Sequence, residues 1–310
     1  MKNALSALPC FTQVESISKI TSGLSQHCFK VSADNKAYFA KTISDNTEVP
    51  VTLFAGISGL SPSIIYHDQH WLISNFIDAD NLALSTIDTD DKINHAIKLM
   101  VKCHQLNAKP AALSAKDVIK TLLNNSHYTK SQQVALSQLA KLILDPLIIN
   151  QNGVCCHGDL NFSNVLINQE HSIWLVDYEC ASTAPIEYDL AMFIAVNSLD
   201  SNDRTTAIEQ YEVQSSVSID PQLLNHYLLF CYFINALWYF NSYHEPPLTE
   251  GVTKGTTEDT TKNKQALLKY GQTQWHALHS SLKIDNSPLL DRLGIKFTNI
   301  FTTLDFSNQT

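Results

Sequence analysis

The stretch HGDLNFSNVLINQEHSIWLVDYE, His157 to Glu179, places a His, several Asp and Asn groups and a Glu between runs of Val, Leu and Ile. Burying a carboxylate or amide is costly unless something satisfies it. Three such groups bracketing apolar strands therefore point to a shared ligand. VCCHGDLNFSNVLI reads as strand, polar turn and strand, and IWLVDYE adds a further strand ending in Asp177. Asp159, Asn164 and Asp177 would stand at the ends of adjacent strands and converge. Two carboxylates and an amide oxygen make a hard oxygen set, suited to Mg²⁺ bound together with phosphate oxygens.

Working outward, residues 11–76 read as strand-rich. CFKVSA and AYFAKTI, separated by Asp34-Asn35, predict a hairpin. Glu48 to Leu60 has helical spacing with Pro50 in the first turn, and SPSIIYHD with HWLISNF predicts another antiparallel pair. After Phe76 the chain turns acidic and small, and Lys92 to Leu106 is an amphipathic helix. Residues 115–150 read as helical, as does most of the chain from Tyr188 onward, and Glu250 to Gln265 as a mobile polar loop. The predicted fold class is α+β, a nucleotide-binding lobe over 1–78 and a mainly helical catalytic and substrate-binding lobe over 79–310.

The chain of 310 residues carries a net charge of -9 and is 16% charged, without a Lys/Arg run. A surface that tracks phosphate backbones needs a basic patch, so nucleic acid is not an expected partner. Seven cysteines without a CxxC pair suggest reduced core thiols and a cytoplasmic protein. The start, MKNALSALPCF, is not read as a leader. Leu228 to Phe240 falls short of the roughly 20 residues that span a bilayer, so no membrane partner is expected.

The pattern H-G-D-x-x-x-x-N, then an apolar strand and Asp, resembles the catalytic and metal-binding segments of eukaryotic-like kinases. His-Gly-Asp and Asp-Tyr-Glu, in place of His-Arg-Asp and Asp-Phe-Gly, resemble the aminoglycoside phosphotransferase and choline kinase superfamily. The resemblance covers roughly residues 15–245. It implies a two-lobed kinase fold with ATP between the lobes, Asp159 acting on the acceptor hydroxyl, His157 bracing the loop, and Asn164 and Asp177 holding Mg²⁺. It also implies a phosphate-covering loop at Ser22, Gly23, Leu24 and Ser25, a phosphate-contacting Lys41 with Glu48 as its helix partner, and an adenine hinge at Ser74, Asn75, Phe76 and Ile77.

DYECASTAPIEYDLAMFI and CYFINALWYFNSY resemble the choline, ethanolamine and thiamine kinase branch, while GLSQHCFKV and WLISNFID are similar to bacterial thiamine kinase. A quaternary or thiazolium cation is held well by aromatic faces beside a carboxylate. Trp238, Tyr239, Tyr243 and Glu179 could supply both. The implied activity is transfer of the γ-phosphate of ATP to the hydroxyl of a small cationic metabolite. An aminoglycoside or sugar acceptor stays open, as does a nucleotide-binding module without catalysis. In the YDLA segment, Asp189 is expected to brace the catalytic loop, and His104 to be a satisfied core histidine.

Overall fold

A computed structural model describes residues 1–20, 27–44, 47–124, 127–147, 153–244 and 257–285. The predicted phosphate-covering residues Ser22, Gly23, Leu24 and Ser25 lie outside the described residues.

The N-terminal part is an antiparallel sheet in the order β1-β2-β3-β5-β4, formed by β1 Val14–Ile20, β2 Cys28–Ala33, β3 Lys36–Thr42, β4 Ile64–His67 and β5 Trp71–Asn75. The turn between β2 and β3 places Asp34 at φ 51° and Asn35 at φ 61°. Two consecutive left-handed residues match the right-handed twist of the flanking strands, which is why Asp-Asn predicted the hairpin. Alternation along β2 and β3 sends Phe29, Val31, Ala33, Tyr38 and Ala40 to one face, where they pack with Trp71 and Ile73 of β5.

That face is closed by Leu5, Leu8 and Phe11. The first helix, α1 Lys2–Ser6, was not anticipated from the sequence, and it explains the apolar start: fully burying a leucine such as Leu5 stabilises by about 1.5–3 kcal/mol. Ile43, Val49 and Leu72 pack together on the other face. There α2, Val49–Ile57, begins with Glu48 at its N-cap and Pro50 in its first turn.

Two further small sheets follow. One pairs β7 Val154–Cys156 with β10 Ser182–Ala184; the other orders β6 Asp80–Asn81, β8 Val165–Ile167 and β9 Ile173–Leu175 as β6-β8-β9. This corrects the expectation that the strand before His157 adjoins the strand after Asn164. β7 takes its partner from the segment beyond Glu179, because the polar turn between β7 and β8 is too long and too irregular for a hairpin.

The helices are α3 Thr89–His104, α4 Ala115–Leu123, α5 Lys130–Leu144, α6 Ile186–Val196, α7 Ser201–Ser215, α8 Pro221–His244 and α9 Thr257–Asp285. The predicted loop over Glu250 to Gln265 is corrected in its second part, since Thr257 to Gln265 open α9; its first part lies outside the described residues. The helical stretch over 115–150 is two helices. No described helix is long and apolar enough to cross a membrane.

The chain forms two compact units. The first comprises Met1–Ala112, Asn150–Asp189 and Asp200–Ser218; the second comprises Leu113–Ile149, Leu190–Leu199 and Ile219–Thr310. In the second, α8 packs along α9, with Gly271 lying against the Phe240 ring where a side chain would not fit.

Candidate active site

The segment from β7 to β10 belongs to the first unit and is organised by one buried carboxylate. Asp189, in the first turn of α6 and fully inaccessible, accepts from His157 N–H at 3.0 Å and Gly158 N–H at 2.8 Å. His104 Nε2 lies 2.9 Å from the same carboxylate and His104 Nδ1 lies 2.8 Å from the Tyr211 hydroxyl. Burial alone would raise the Asp189 pKa. The hydrogen bond and charge of His104 and the Gly158 N–H outweigh it and hold the carboxyl below its ordinary value.

Gly158 adopts φ 79° and lies so close to the Cys180 carbonyl that a Cβ would collide with it. A larger residue fits neither the backbone conformation nor the space. The glycine of His-Gly-Asp is thus a steric requirement here. His157 is fully buried: Asp159 N–H donates to its Nδ1 at 3.3 Å, so its Nε2–H donates to the Val176 carbonyl at 3.0 Å. Burial pulls its pKa down, and the neutral ring ties the loop to the strand end before Asp177.

Asp159 is half-buried. Asn161 Nδ2 lies 3.2 Å from each of its oxygens, and Asn164 Nδ2 donates to its backbone carbonyl at 2.9 Å and to its Oδ2 at 3.3 Å. Burial pushes the Asp159 carboxyl up to about 7; the Asn161 and Asn164 bonds offset this in part, and the charges of Asp177 and Glu179 reinforce it. A carboxyl titrating near neutrality suits a group that takes a proton in the reaction.

Asp177 follows β9 by two residues and holds φ 73°, a left-handed conformation that Asp tolerates better than most residues. Its Oδ1 receives Lys41 Nζ at 2.5 Å. Lys41, on β3 and facing α2, also donates to Glu48 Oε2 at 3.0 Å and lies 3.9 Å from Glu179 Oε2. Burial would lower the Lys41 pKa, but Asp177 and Glu48 outweigh it and keep the ammonium charged. Glu48 does not cap its own helix with its side chain; the carboxylate turns to Lys41 instead. Lys41, Glu48, Asp177 and Glu179 form one connected cluster, and Asp159, Asn161 and Asn164 form another whose carboxylate feels the charge of Asp177 and Glu179.

The donor set fits a divalent cation. The Nδ2 of Asn164 is engaged by Asp159, which would leave its Oδ1 to face a cation, and Asp177 keeps Oδ2 beside the Lys41 bond. These are hard oxygen donors.

At the predicted hinge, Asn75 N–H donates to the Ser63 carbonyl at 3.0 Å and Phe76 N–H to the Ala37 carbonyl at 3.1 Å. A base edge would have to be met by other backbone groups of the segment, the Ile77 N–H among them. Ser74 is buried, and Lys30 Nζ sits 4.1 Å above the Phe76 ring.

The expected aromatic residues belong to the second unit, on α8. Trp238 is 42% exposed and meets Tyr239 edge-on at 5.1 Å; Tyr239 stacks on Tyr270 at 5.5 Å. Tyr243 has Lys264 Nζ 5.8 Å from its ring centre, so one cation already lies over an aromatic face.

Two features escaped the sequence reading. Asn161 was passed over although Asp-x-Asn-x-x-Asn carries a capping signature: its Oδ1 accepts from the N–H groups of Ser163 and Asn164. The second is a buried hydroxyl pair, Ser61 Oγ and Tyr178 OH at 2.8 Å, with Ser61 Oγ donating to the Leu175 carbonyl at 2.5 Å. It ties the end of the α2 segment to the Asp-Tyr-Glu strand end, and only the hydroxyl that distinguishes Tyr from Phe hinted at it.

Comparison with known proteins adds a frame. In Arabidopsis thaliana, the protein named "Probable choline kinase 3" is 28% identical over 110 residues, 35% of this chain and 32% of that protein. The match thus spans about a third of that curated relative. Among solved structures, the choline kinase LicA of Streptococcus pneumoniae has a TM-score of 0.63 at 17% identity, covering 88% of this chain and 97% of that one. LicA has also been solved in complex with AMP. A spectinomycin phosphotransferase in complex with ADP and spectinomycin has a TM-score of 0.59 at 15% identity, covering 86% and 94%. The fold is accordingly α+β and kinase-like. The family model for choline/ethanolamine kinase matches residues 17–279. The chain belongs to the choline/ethanolamine kinase family.

Proposed function

We propose that the protein is an ATP- and Mg²⁺-dependent kinase that phosphorylates the hydroxyl of a small cationic metabolite, with choline or ethanolamine first and thiamine next. The observation that carries this reading is Asp159: a half-buried carboxyl, pushed up to about 7, fixed by two amides beside Asp177 and the Lys41–Glu48 pair. The acceptor oxygen attacks the γ-phosphorus, its proton passes to Asp159, and the bond to the bridging oxygen of ADP breaks. Asn164 and Asp177 would hold Mg²⁺, which neutralises charge on the phosphates. Lys41 meets the phosphates, Glu48 orients Lys41, and His157 holds the loop in register.

Residues 74–77 serve as the adenine edge of a lobe spanning 1–78, with catalysis and acceptor binding in 79–310. Glu179 is the carboxylate proposed to attract an acceptor cation, and Trp238, Tyr239 and Tyr243 on α8 are the rings proposed as cation faces. The family membership favours a choline-type acceptor. The likeness to a spectinomycin phosphotransferase supports a second reading, an aminoglycoside acceptor.

The test is ATP consumption with Mg²⁺ against choline, ethanolamine, thiamine, an aminoglycoside and no acceptor, each repeated with Asp159→Asn. Acceptor-dependent turnover, lost in the variant, is expected. Retained turnover in the variant sinks the mechanism. MgATP should also raise the melting temperature, since a ligand at a hundred times its Kd stabilises by about 2.7 kcal/mol; no shift would remove the nucleotide reading.

A further inference from the structure

Asn161 stands two residues after Asp159 and makes two sets of contacts with opposite ends of one amide. Its Oδ1 accepts from Ser163 N–H at 2.9 Å, from Asn164 N–H at 3.2 Å and from the Ser163 hydroxyl, capping the 3₁₀ turn Phe162–Asn164. Three donors on one oxygen leave no ambiguity about which way the amide faces. The NH₂ end is thereby turned onto Asp159, 3.2 Å from both carboxylate oxygens. The Asn161 N–H also donates to the Asp159 carbonyl at 2.9 Å, and Asn164 N–H to the Asn161 carbonyl at 3.0 Å. Asn161 is therefore bonded on one side to the carboxylate and on the other to the turn that carries Asn164.

We infer that Asn161 is a positioning residue for the phosphoryl transfer: it sets the rotation of the Asp159 carboxylate and locks that rotation to the turn presenting Asn164. This rests on the kinase reading above. The physical reason is that a carboxylate on two rotatable bonds accepts a proton efficiently only when an oxygen faces the hydroxyl. Asn164 alone reaches only Oδ2, and at 3.3 Å, so it cannot hold both oxygens. A residue that merely capped the turn would need an oxygen acceptor and nothing more. An amide is needed because the opposite end must donate.

That difference supplies the test. Asn161→Ser and Asn161→Asp both keep a cap acceptor, and neither keeps the NH₂ that meets both Asp159 oxygens: the Asp side chain has no donor, and the Ser hydroxyl is a single donor on a shorter side chain. Both are expected to lower kcat at least tenfold, with KM for MgATP within about twofold and an unchanged melting temperature. Asn161→Gln, which keeps the donor, is expected to recover part of kcat. Crystal structures of the wild type and Asn161→Ser supply a readout independent of turnover: the Asp159 carboxylate should rotate while the Phe162–Asn164 turn stays in place. Unchanged kcat in both variants with Asp159 still in place overturns the inference, as does a loss confined to KM and melting temperature, which marks a cap and nothing else. If the wild type shows no turnover with any acceptor yet Asp159 rotates in Asn161→Ser, the kinase reading fails, and only the hold of Asn161 on the Asp159 carboxylate stands, without its role in phosphoryl transfer.

Discussion

Glu48 and Asp189 are both buried carboxylates paired with a basic residue, yet their environments push them in opposite directions. Glu48 is 4% exposed, and Lys41 is its hydrogen-bond partner; burial wins and its pKa is raised. Asp189 is fully inaccessible but accepts from two backbone N–H groups as well as pairing with His104, and its pKa is lowered. The number of bonds to the charged form decides the sign, not the depth of burial. The two clusters also differ in access. In the Lys41 cluster the side chains of Asp177 and Glu179 stay 34% and 31% exposed, whereas those of His104 and Asp189 are 5% and 0% exposed. One cluster is open to a ligand and the other holds backbone.

The open site and the closed brace should therefore fail differently. Asp159→Asn, in the segment the brace supports, should lower kcat by about 10²–10⁴-fold with little change in melting temperature; steady-state kinetics beside calorimetry separate the two. Asp189→Ala should do the reverse at the level of the fold, costing about 3–5 kcal/mol because His104 and two loop N–H groups lose their partner; urea unfolding measures it. A cost below about 1 kcal/mol would show that the brace is dispensable.

Acid titration sharpens the contrast further. The depressed pKa of Asp189 adds stability that is fully present above the ordinary Asp value and is lost as pH falls through the lower folded value. The raised pKa of Glu48 has the opposite sign: folding disfavours its ionised form, so stability is gained as pH falls through that raised value. Wild-type stability followed toward low pH should fall less in Asp189→Asn and more in Glu48→Gln. Equal slopes in all three proteins would refute the assignment. The smallest effect is expected at Trp238. Because it is 42% exposed, Trp238→Ala should change stability by less than about 0.5 kcal/mol, while raising KM for a cationic acceptor by about two- to tenfold if its face meets the cation.

Much of this was readable in advance because it is local. The Asp34-Asn35 turn, Pro50 in the first turn of α2 and the alternation of CFKVSA follow from backbone preferences within a few residues. The spacing of Asp159, Asn164 and Asp177 was legible because all three lie within one short segment of the sequence. Lys41 and Glu48, seven residues apart, were expected to pair, and they do.

What stayed hidden depends on residues distant in sequence. The pairing of β7 with β10, the collision that forbids a side chain at Gly158, and the identity of the three donors on Asp189, whose bracing role itself was expected, each join residues within 154–189 to segments distant along the chain. The packing of Leu5, Leu8 and Phe11 against the sheet is likewise a matter of residues distant in sequence, which composition does not reveal. Asn161 was hidden for a subtler reason. A cap and a positioning amide look alike in sequence, and they separate only when the direction of the side chain is known.

By itself, then, the sequence determined the chemistry available, the residue types and their short-range spacing, because those are properties of neighbours along the chain. The tertiary structure decided which carboxyl is pushed up toward neutrality and which is held below its ordinary value, because pKa values are set by burial and by hydrogen bonds that arrive from elsewhere in the fold.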